Sequence, residues 1–238
     1  MSIADKLAQI AENELKVYEA GKSEEYNRFW DSFQQKGNNL VFRGMFAGSG
    51  WNADTFNPKH PMKPTSSNAT YMFMFFNTAS SENLDFRNYK HLFDFSEITN
   101  AMSLFQDARM DYIDIDLSNA TTIASCFSEG YYPGKKTHIT IKVSNKCTNY
   151  SSAFATCSAL TDLFFAEGSE IAGNIDLKSC PLTADSLVSV VEHLSDSVTG
   201  KTATFKQTAI DKADWSTTNY ASWDELKATK PNWGFAYA

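Results

Sequence analysis

The chain has 238 residues, of which 42% are hydrophobic, 14% aromatic and 21% charged. This length allows one or two domains with a substantial core, and the composition is too apolar for a disordered chain. The formal net charge is −7 at pH 7 and no basic stripe offsets it, so we do not expect binding to nucleic acid. The longest strongly apolar stretch, 71–76, is far too short to span a bilayer, so we do not expect membrane insertion.

The first residues, Met1 to Lys6, lead directly into an amphipathic pattern, without the basic start and apolar block of a secretory signal. We therefore expect synthesis in the cytoplasm without a signal peptide. The four cysteines show no C-x-x-C pair and no metal-ligand spacing. They are Cys126, Cys147, Cys157 and Cys180. We expect them to be reduced and buried as small hydrophobic residues.

Residues 1–37 are predicted to form an N-terminal helical segment for assembly or attachment. Its first helix, 3–20, carries an apolar stripe, and the second, 23–35, has an aromatic face. The stripe consists of Ile3, Leu7, Ile10 and Val17. A helix this short is marginal alone in water, so its stripe either packs on its own domain or self-associates in a small symmetric oligomer. We predict these four residues as oligomerisation residues and expect a homo-oligomer.

Residues 38–238 are predicted to form a solenoid, because one unit built around a phenylalanine recurs along them. Its phenylalanines are Phe46, Phe73, Phe105, Phe127 and Phe154. Self-similarity at about 20 to 50 residues is typical of solenoids, in which each unit buries its apolar face against its neighbours. Runs at 112–117 and 138–143 alternate apolar with polar residues, as half-buried strands do. Shorter runs, 163–165 and 175–177, are strand-like as well.

The segment from about residue 180 to 238 is predicted to cap the solenoid. A helix over 182–194, with Thr183 as N-cap, begins it, and a strand-like run at 202–206 and a short helix at 222–228 follow. Three tryptophans are expected to seal this end: Trp215, Trp223 and Trp233. The predicted fold class is therefore α+β, a short repeat solenoid with an N-terminal helical segment and a C-terminal capping helix.

The sequence of residues 153–163 resembles the bacterial surface-protein class of leucine-rich repeats, whose units carry Phe-x-x-Cys-x-x-Leu. The whole chain is similar to leucine-rich-repeat-like proteins of tailed phages and prophages of Gram-positive and gut bacteria. The stretches that carry this wider resemblance are 3–13, 17–21, 26–34, 46–51, 56–59, 64–65 and 229–233.

The resemblance implies a non-enzymatic structural or adhesive protein of a virion, associated with the tail or baseplate. Its partners would be other virion proteins or a ligand on the host cell surface. Residues 128–136 depart from the pattern, because they replace the usual Cys-x-x-Leu.

The residues themselves indicate no catalytic, cofactor or metal site. The four histidines are scattered without zinc-ligand spacing, so surface or partly satisfied roles are favoured. Three acids, Asp111, Asp114 and Asp116, could suggest calcium, but alternation with isoleucines favours a solvated strand face.

Tyr131 and Tyr132 are the predicted partner-binding residues, because two large aromatics stand next to Pro133-Gly134 in a turn context. The alternative is that both rings fold back on the core. Two other functions stay open: a tail-associated enzyme that cleaves polysaccharide with two converging carboxylates, and a bacterial protein-interaction module unrelated to virions.

Overall fold

The computed structural model describes residues 84–88, 90, 94–96, 98–108, 110–129 and 136–238. This part of the chain is a β-solenoid of about 3 turns with few helices, so the predicted short repeat solenoid is confirmed in this coarse form. The predicted N-terminal helices lie outside the described residues, with Ile3, Leu7, Ile10, Val17, Phe46 and Phe73. The oligomerisation role of the first helix stays a prediction.

Four parallel strands form the larger sheet, in the order in which they occur along the chain. They are β1 (Leu84–Asp85), β2 (Met110–Asp116), β3 (His138–Lys142) and β4 (Asp162–Phe165). The runs predicted as strands are confirmed, and their alternation is the reason: Ile113, Ile115, Ile139 and Ile141 are all buried. Each coil brings the chain back in the same direction, so neighbouring strands are parallel.

Between the strands, turns stack the recurring phenylalanines into a column. The ring centroids of Phe105 and Phe127 are 5.8 Å apart, and the two rings stack nearly parallel, with 5° between their planes. Phe154 continues the column 5.4 Å from Phe127, and Phe86 meets Phe105 edge-on at 5.1 Å. All four side chains are fully buried. The unit recognised in the sequence is therefore the unit that stacks in the fold, as predicted for Phe105, Phe127 and Phe154.

The backbone of these turns repeats as well. Phe105 donates its N–H to the carbonyl of Cys126 at 2.8 Å, and Phe127 donates to Ala153 at 2.9 Å. The residue two positions before each phenylalanine has a positive φ: Ser103 (57°), Ser125 (53°) and Ser152 (55°). A left-handed serine costs about 1 kcal/mol. The hydrogen bonds of the turn offset this cost, because this conformation aligns the amides of one coil with the carbonyls of the next.

Helix α1 (Ala184–Glu192) covers the outer edge of β4. The hydroxyl of Ser186 accepts the N–H of Leu163 at 2.9 Å, and that of Ser189 accepts the N–H of Phe165 at 2.9 Å. Two serine side chains one helical turn apart thus take the place of a fifth strand, because they satisfy the amides that such a strand would pair with. The helix predicted over 182–194 is present, two residues shorter at each end, and it covers this edge.

The predicted N-cap, Thr183, stands at the start of α1. Its hydroxyl accepts no backbone N–H of the helix. It donates instead to the hydroxyl of Ser186 at 3.1 Å. The side chain of Thr183 therefore supports the contact with β4 rather than the helix end.

A second parallel sheet follows, with the order β5-β6-β7. Its strands are β5 (Ile175–Leu177), β6 (Lys201–Phe205) and β7 (Trp233–Tyr237). Two short helices, α2 (Gln207–Lys212) and α3 (Trp223–Ala228), connect β6 to β7. The region predicted as a cap thus adds two strands to a sheet that begins before it. The strand-like run at 202–206 and the helix at 222–228 are present, with ends shifted by one residue.

Aromatic side chains close the core beside this second sheet, as predicted for the tryptophans. Trp223 and Trp233 are buried, and Trp215 packs against Trp223 with 6.3 Å between ring centroids. The indole N–H of Trp233 donates to the carbonyl of Ser195 at 2.9 Å. Burial of these rings is therefore achieved without leaving the indole N–H of Trp233 unpaired.

Replacing Ser186 with alanine is expected to lower the free energy of unfolding by about 1–3 kcal/mol, because the N–H of Leu163 then stays buried without an acceptor. Urea denaturation followed by circular dichroism measures this change. Ser158 is exposed, so Ser158→Ala is the matched control and should change little. Equal effects of the two substitutions would contradict the role of Ser186 at the strand edge.

Candidate functional site

The outward side chains of the larger sheet form a face that we call the polar face. It consists of Tyr112, Asp114, Asp116, His138, Thr140, Lys142, Asp162 and Phe164. All of them are half-buried or exposed, in contrast to the buried residues between them. The predicted alternation of 112–117 and 138–143 is confirmed here: the polar residues Asp114, Asp116, Thr140 and Lys142 point outward.

One row crosses the polar face from coil to coil. The strand register aligns Tyr112 with His138 and His138 with Asp162. The rings of Tyr112 and His138 stack at 4.4 Å, and Nε2 of His138 is 3.0 Å from Oδ2 of Asp162. The guanidinium carbon of Arg87 lies 4.0 Å from the centre of the Tyr112 ring, a cation–π contact. Four residues that are distant in sequence therefore form one continuous row, which sequence reasoning did not identify.

Neighbouring threonines fix the orientation of this row. The hydroxyl of Thr137 is 3.0 Å from Nδ1 of His138, and the hydroxyl of Thr161 donates to Oδ2 of Asp162 at 2.7 Å. Both ring nitrogens of His138 thus have partners, as expected for a partly satisfied surface histidine. The row can offer oriented donors, acceptors and aromatic edges to a ligand.

A cleft of about 560 Å³ opens beside β2. Phe86, Phe95 and Ile115 contribute its apolar part, while Lys90, Asp114 and Asp116 contribute charged groups. Lys90 and Asp114 form an ion pair on the surface. An apolar wall with a few polar groups is a common composition of binding clefts. The cleft lies next to the polar face, on the side of β2 where Phe86 and Phe95 lie.

The acids of the polar face have local roles. Asp116 accepts the N–H of Ser118 at 2.9 Å, so its carboxylate stabilises the turn after β2. Among the described residues, no group of three or more His, Cys, Asp or Glu side chains could hold a metal ion. Within the same residues, no helix is both long and apolar enough to cross a membrane.

The four cysteines are free and buried, as the sequence predicts. Burial raises the pKa of the Cys147 thiol to about 11 and that of Cys157 to about 12. A thiol acts as a nucleophile through its thiolate. Because these two thiols stay protonated at neutral pH, they lack the thiolate that a nucleophile needs.

The predicted partner-binding residues Tyr131 and Tyr132 lie outside the described residues, but the residues on both sides of 130–135 are described. Nζ of Lys136 is 3.6 Å from Oε1 of Glu129, and both side chains are completely buried. The same carboxylate accepts the backbone N–H of Lys136 at 2.7 Å. A buried ion pair therefore joins the two ends of this segment, where the sequence departs from the Cys-x-x-Leu pattern.

Comparison with protein-family models, with curated proteins and with solved structures finds no match for this chain.

Proposed function

We propose that this chain is a non-enzymatic binding protein, a structural or adhesive component of a tailed-phage virion at the tail or baseplate. The observation that carries the binding proposal is the ordered row formed by Arg87, Tyr112, His138 and Asp162 on the polar face. The virion assignment is supported by the resemblance of residues 153–163 to a leucine-rich repeat of the surface-protein class, and of the wider chain to phage proteins.

The polar face suits recognition because its strands are rigid. β2 and β3 pair with neighbours on both sides, and α1 covers the outer edge of β4. Side chains that are already fixed by stacking and hydrogen bonds lose little conformational entropy when a partner binds. Aromatic residues such as Tyr112 and Phe164 also offer a large contact area for few rotatable bonds.

The mixture of groups on this face favours a polar partner. Carboxylates stand next to nitrogen-bearing side chains, as in the pairs of Asp162 with His138 and Asp114 with Lys90. A host surface glycan or a polar patch on another virion protein offers the matching hydrogen-bonding groups. The net charge of −7 disfavours nucleic acid as a partner.

Retention of the purified chain on host cells, on cell-wall glycans and on virions lacking it tests the proposal. Tyr112→Ala is expected to weaken retention by at least about tenfold, because truncation of a central aromatic contact commonly costs more than 1.4 kcal/mol. Thr202 lies half-buried on β6, in the other sheet, so Thr202→Ala is the matched control and should bind normally.

Two results would contradict the proposal. The first is no retention on any of these materials, together with absence of the chain from purified virions. The second is release of new reducing ends from host polysaccharide, which would instead support the tail enzyme that the sequence leaves open.

A further inference from the structure

Strand β7 pairs with β6 along one edge, and no described strand pairs with its other edge. Its hydrogen bonds show which groups face each way. The N–H of Ala238 donates to Phe205 at 3.1 Å, and the carbonyl of Ala238 accepts the N–H of Gln207 at 2.9 Å. Because alternate residues of a strand direct their N–H and C=O groups to the same side, those of Phe235 and Tyr237 point away from β6.

The outer edges of the two sheets differ in how they are covered. The edge of β4 is covered by α1, whose serine hydroxyls accept the strand's amides. Proteins usually protect an uncovered edge with lysine, proline or a bulge. Residues 233–237, Trp-Gly-Phe-Ala-Tyr, contain neither a charged residue nor proline. Tyr237, with 41% of its surface exposed, is the exposed large hydrophobic residue of the described chain.

We propose that β7 pairs in antiparallel orientation with β7 of a second copy of this chain, around a two-fold axis at Phe235. The pairing joins the two three-stranded sheets into one continuous sheet. It uses the outward N–H and C=O groups of Phe235 and Tyr237 and the outward C=O of Trp233, whose N–H donates to the carbonyl of Lys230 at 3.1 Å.

A second copy fits this edge because the strand is complementary to itself. Phe235 and Tyr237 both contact Trp223, with ring centroids 5.7 and 6.4 Å away, so their side chains lie on one face of the strand. The two-fold axis places Phe235 opposite Phe235, and Trp233 of one copy opposite Tyr237 of the other. Such aromatic cross-strand pairs stabilise antiparallel sheets.

The remaining positions agree with the same arrangement. Gly234 and Ala236 fall on the other face, where their small side chains do not crowd each other across the two strands. Residues 233–237 carry no charged side chain, so the pairing places no like charges opposite each other. In a two-fold pair of identical strands, aromatic residues stand opposite aromatic residues and small residues opposite small ones. A strand from an unrelated protein would need a matching sequence of its own to achieve this.

The pairing is independent of ligand binding on the polar face and of the predicted oligomerisation stripe. Light scattering after size exclusion, with the full chain at micromolar concentration, should give at least twice the mass of 26.6 kDa, and a larger multiple where the predicted N-terminal stripe associates as well. Tyr237→Lys adds an edge lysine and should weaken dimerisation by at least about tenfold. Thr204→Lys adds the same charge on the inner strand β6 and is the matched control, which should stay dimeric.

Two further measurements keep the result unambiguous. Ile10→Asp disrupts the predicted N-terminal stripe and should leave the dimer intact. Hydrogen exchange of the wild-type amides in 233–238 should slow as protein concentration rises, which tests the edge even where Tyr237→Lys fails to fold.

The proposal is overturned by a monomeric wild-type chain, by a dimer that persists in a folded Tyr237→Lys variant, or by a dimer lost through Ile10→Asp. Exchange in 233–238 that does not depend on concentration would overturn it as well.

Discussion

Replacing Phe127 with alanine is expected to lower the free energy of unfolding by about 3–5 kcal/mol. The ring is fully buried at the middle of the phenylalanine column, between Phe105 at 5.8 Å and Phe154 at 5.4 Å. Its removal leaves a cavity that both neighbours border. Neither ring can move to fill the cavity without shifting its own coil, because backbone hydrogen bonds hold adjacent coils in register.

Phe164→Ala is the matched control for this substitution. Phe164 loses the same atoms, but it lies half-buried on the polar face. We expect it to cost about 1 kcal/mol or less. Urea denaturation followed by circular dichroism compares the two variants at equilibrium. Similar losses in both would contradict a core built on the stacked column.

The column and the strands could be predicted because each coil buries the same apolar positions. The alternation of apolar and polar residues at 138–143 predicts which side chains face inward, and it can be seen within one strand, without information on the neighbouring coils. The helix over 182–194 is equally local, since its apolar face repeats within three turns.

The row on the polar face could not be predicted in the same way, because it depends on register between coils. Tyr112 follows Phe105 by seven residues, whereas His138 follows Phe127 by eleven. Because these two spacings differ, the sequence alone does not show that the rings of Tyr112 and His138 stack on each other. Only strand pairing in three dimensions shows it.

Strand β7 also escaped prediction, and for a different reason. Trp-Gly-Phe-Ala-Tyr contains no polar residue to alternate with its aromatics, and glycine disfavours strands. Its extended form depends on pairing with β6 and on packing of Phe235 against Trp223. Tertiary contacts rather than local propensity therefore determine this element.

Replacing Lys136 with methionine is expected to lower the free energy of unfolding by about 3–5 kcal/mol, because Glu129 then stays buried without its cation. Nζ of Lys136 also donates to the carbonyl of Ala108 at 3.1 Å, so a second buried acceptor loses its partner. Burial lowers the pKa of Lys136, because the interior disfavours the charged form of its amine.

The double variant Lys136→Met/Glu129→Gln should be more stable than Lys136→Met alone. Glutamine keeps an oxygen that can accept the backbone N–H of Lys136, the bond of 2.7 Å in the native chain, but it carries no charge to bury. A double-mutant cycle by urea denaturation measures the coupling between the two residues. Coupling of more than about 1 kcal/mol is expected for a buried pair in contact. Additive losses would mean that the two charges act separately, and that the ends of segment 130–135 are held by packing and backbone contacts rather than by their ion pair.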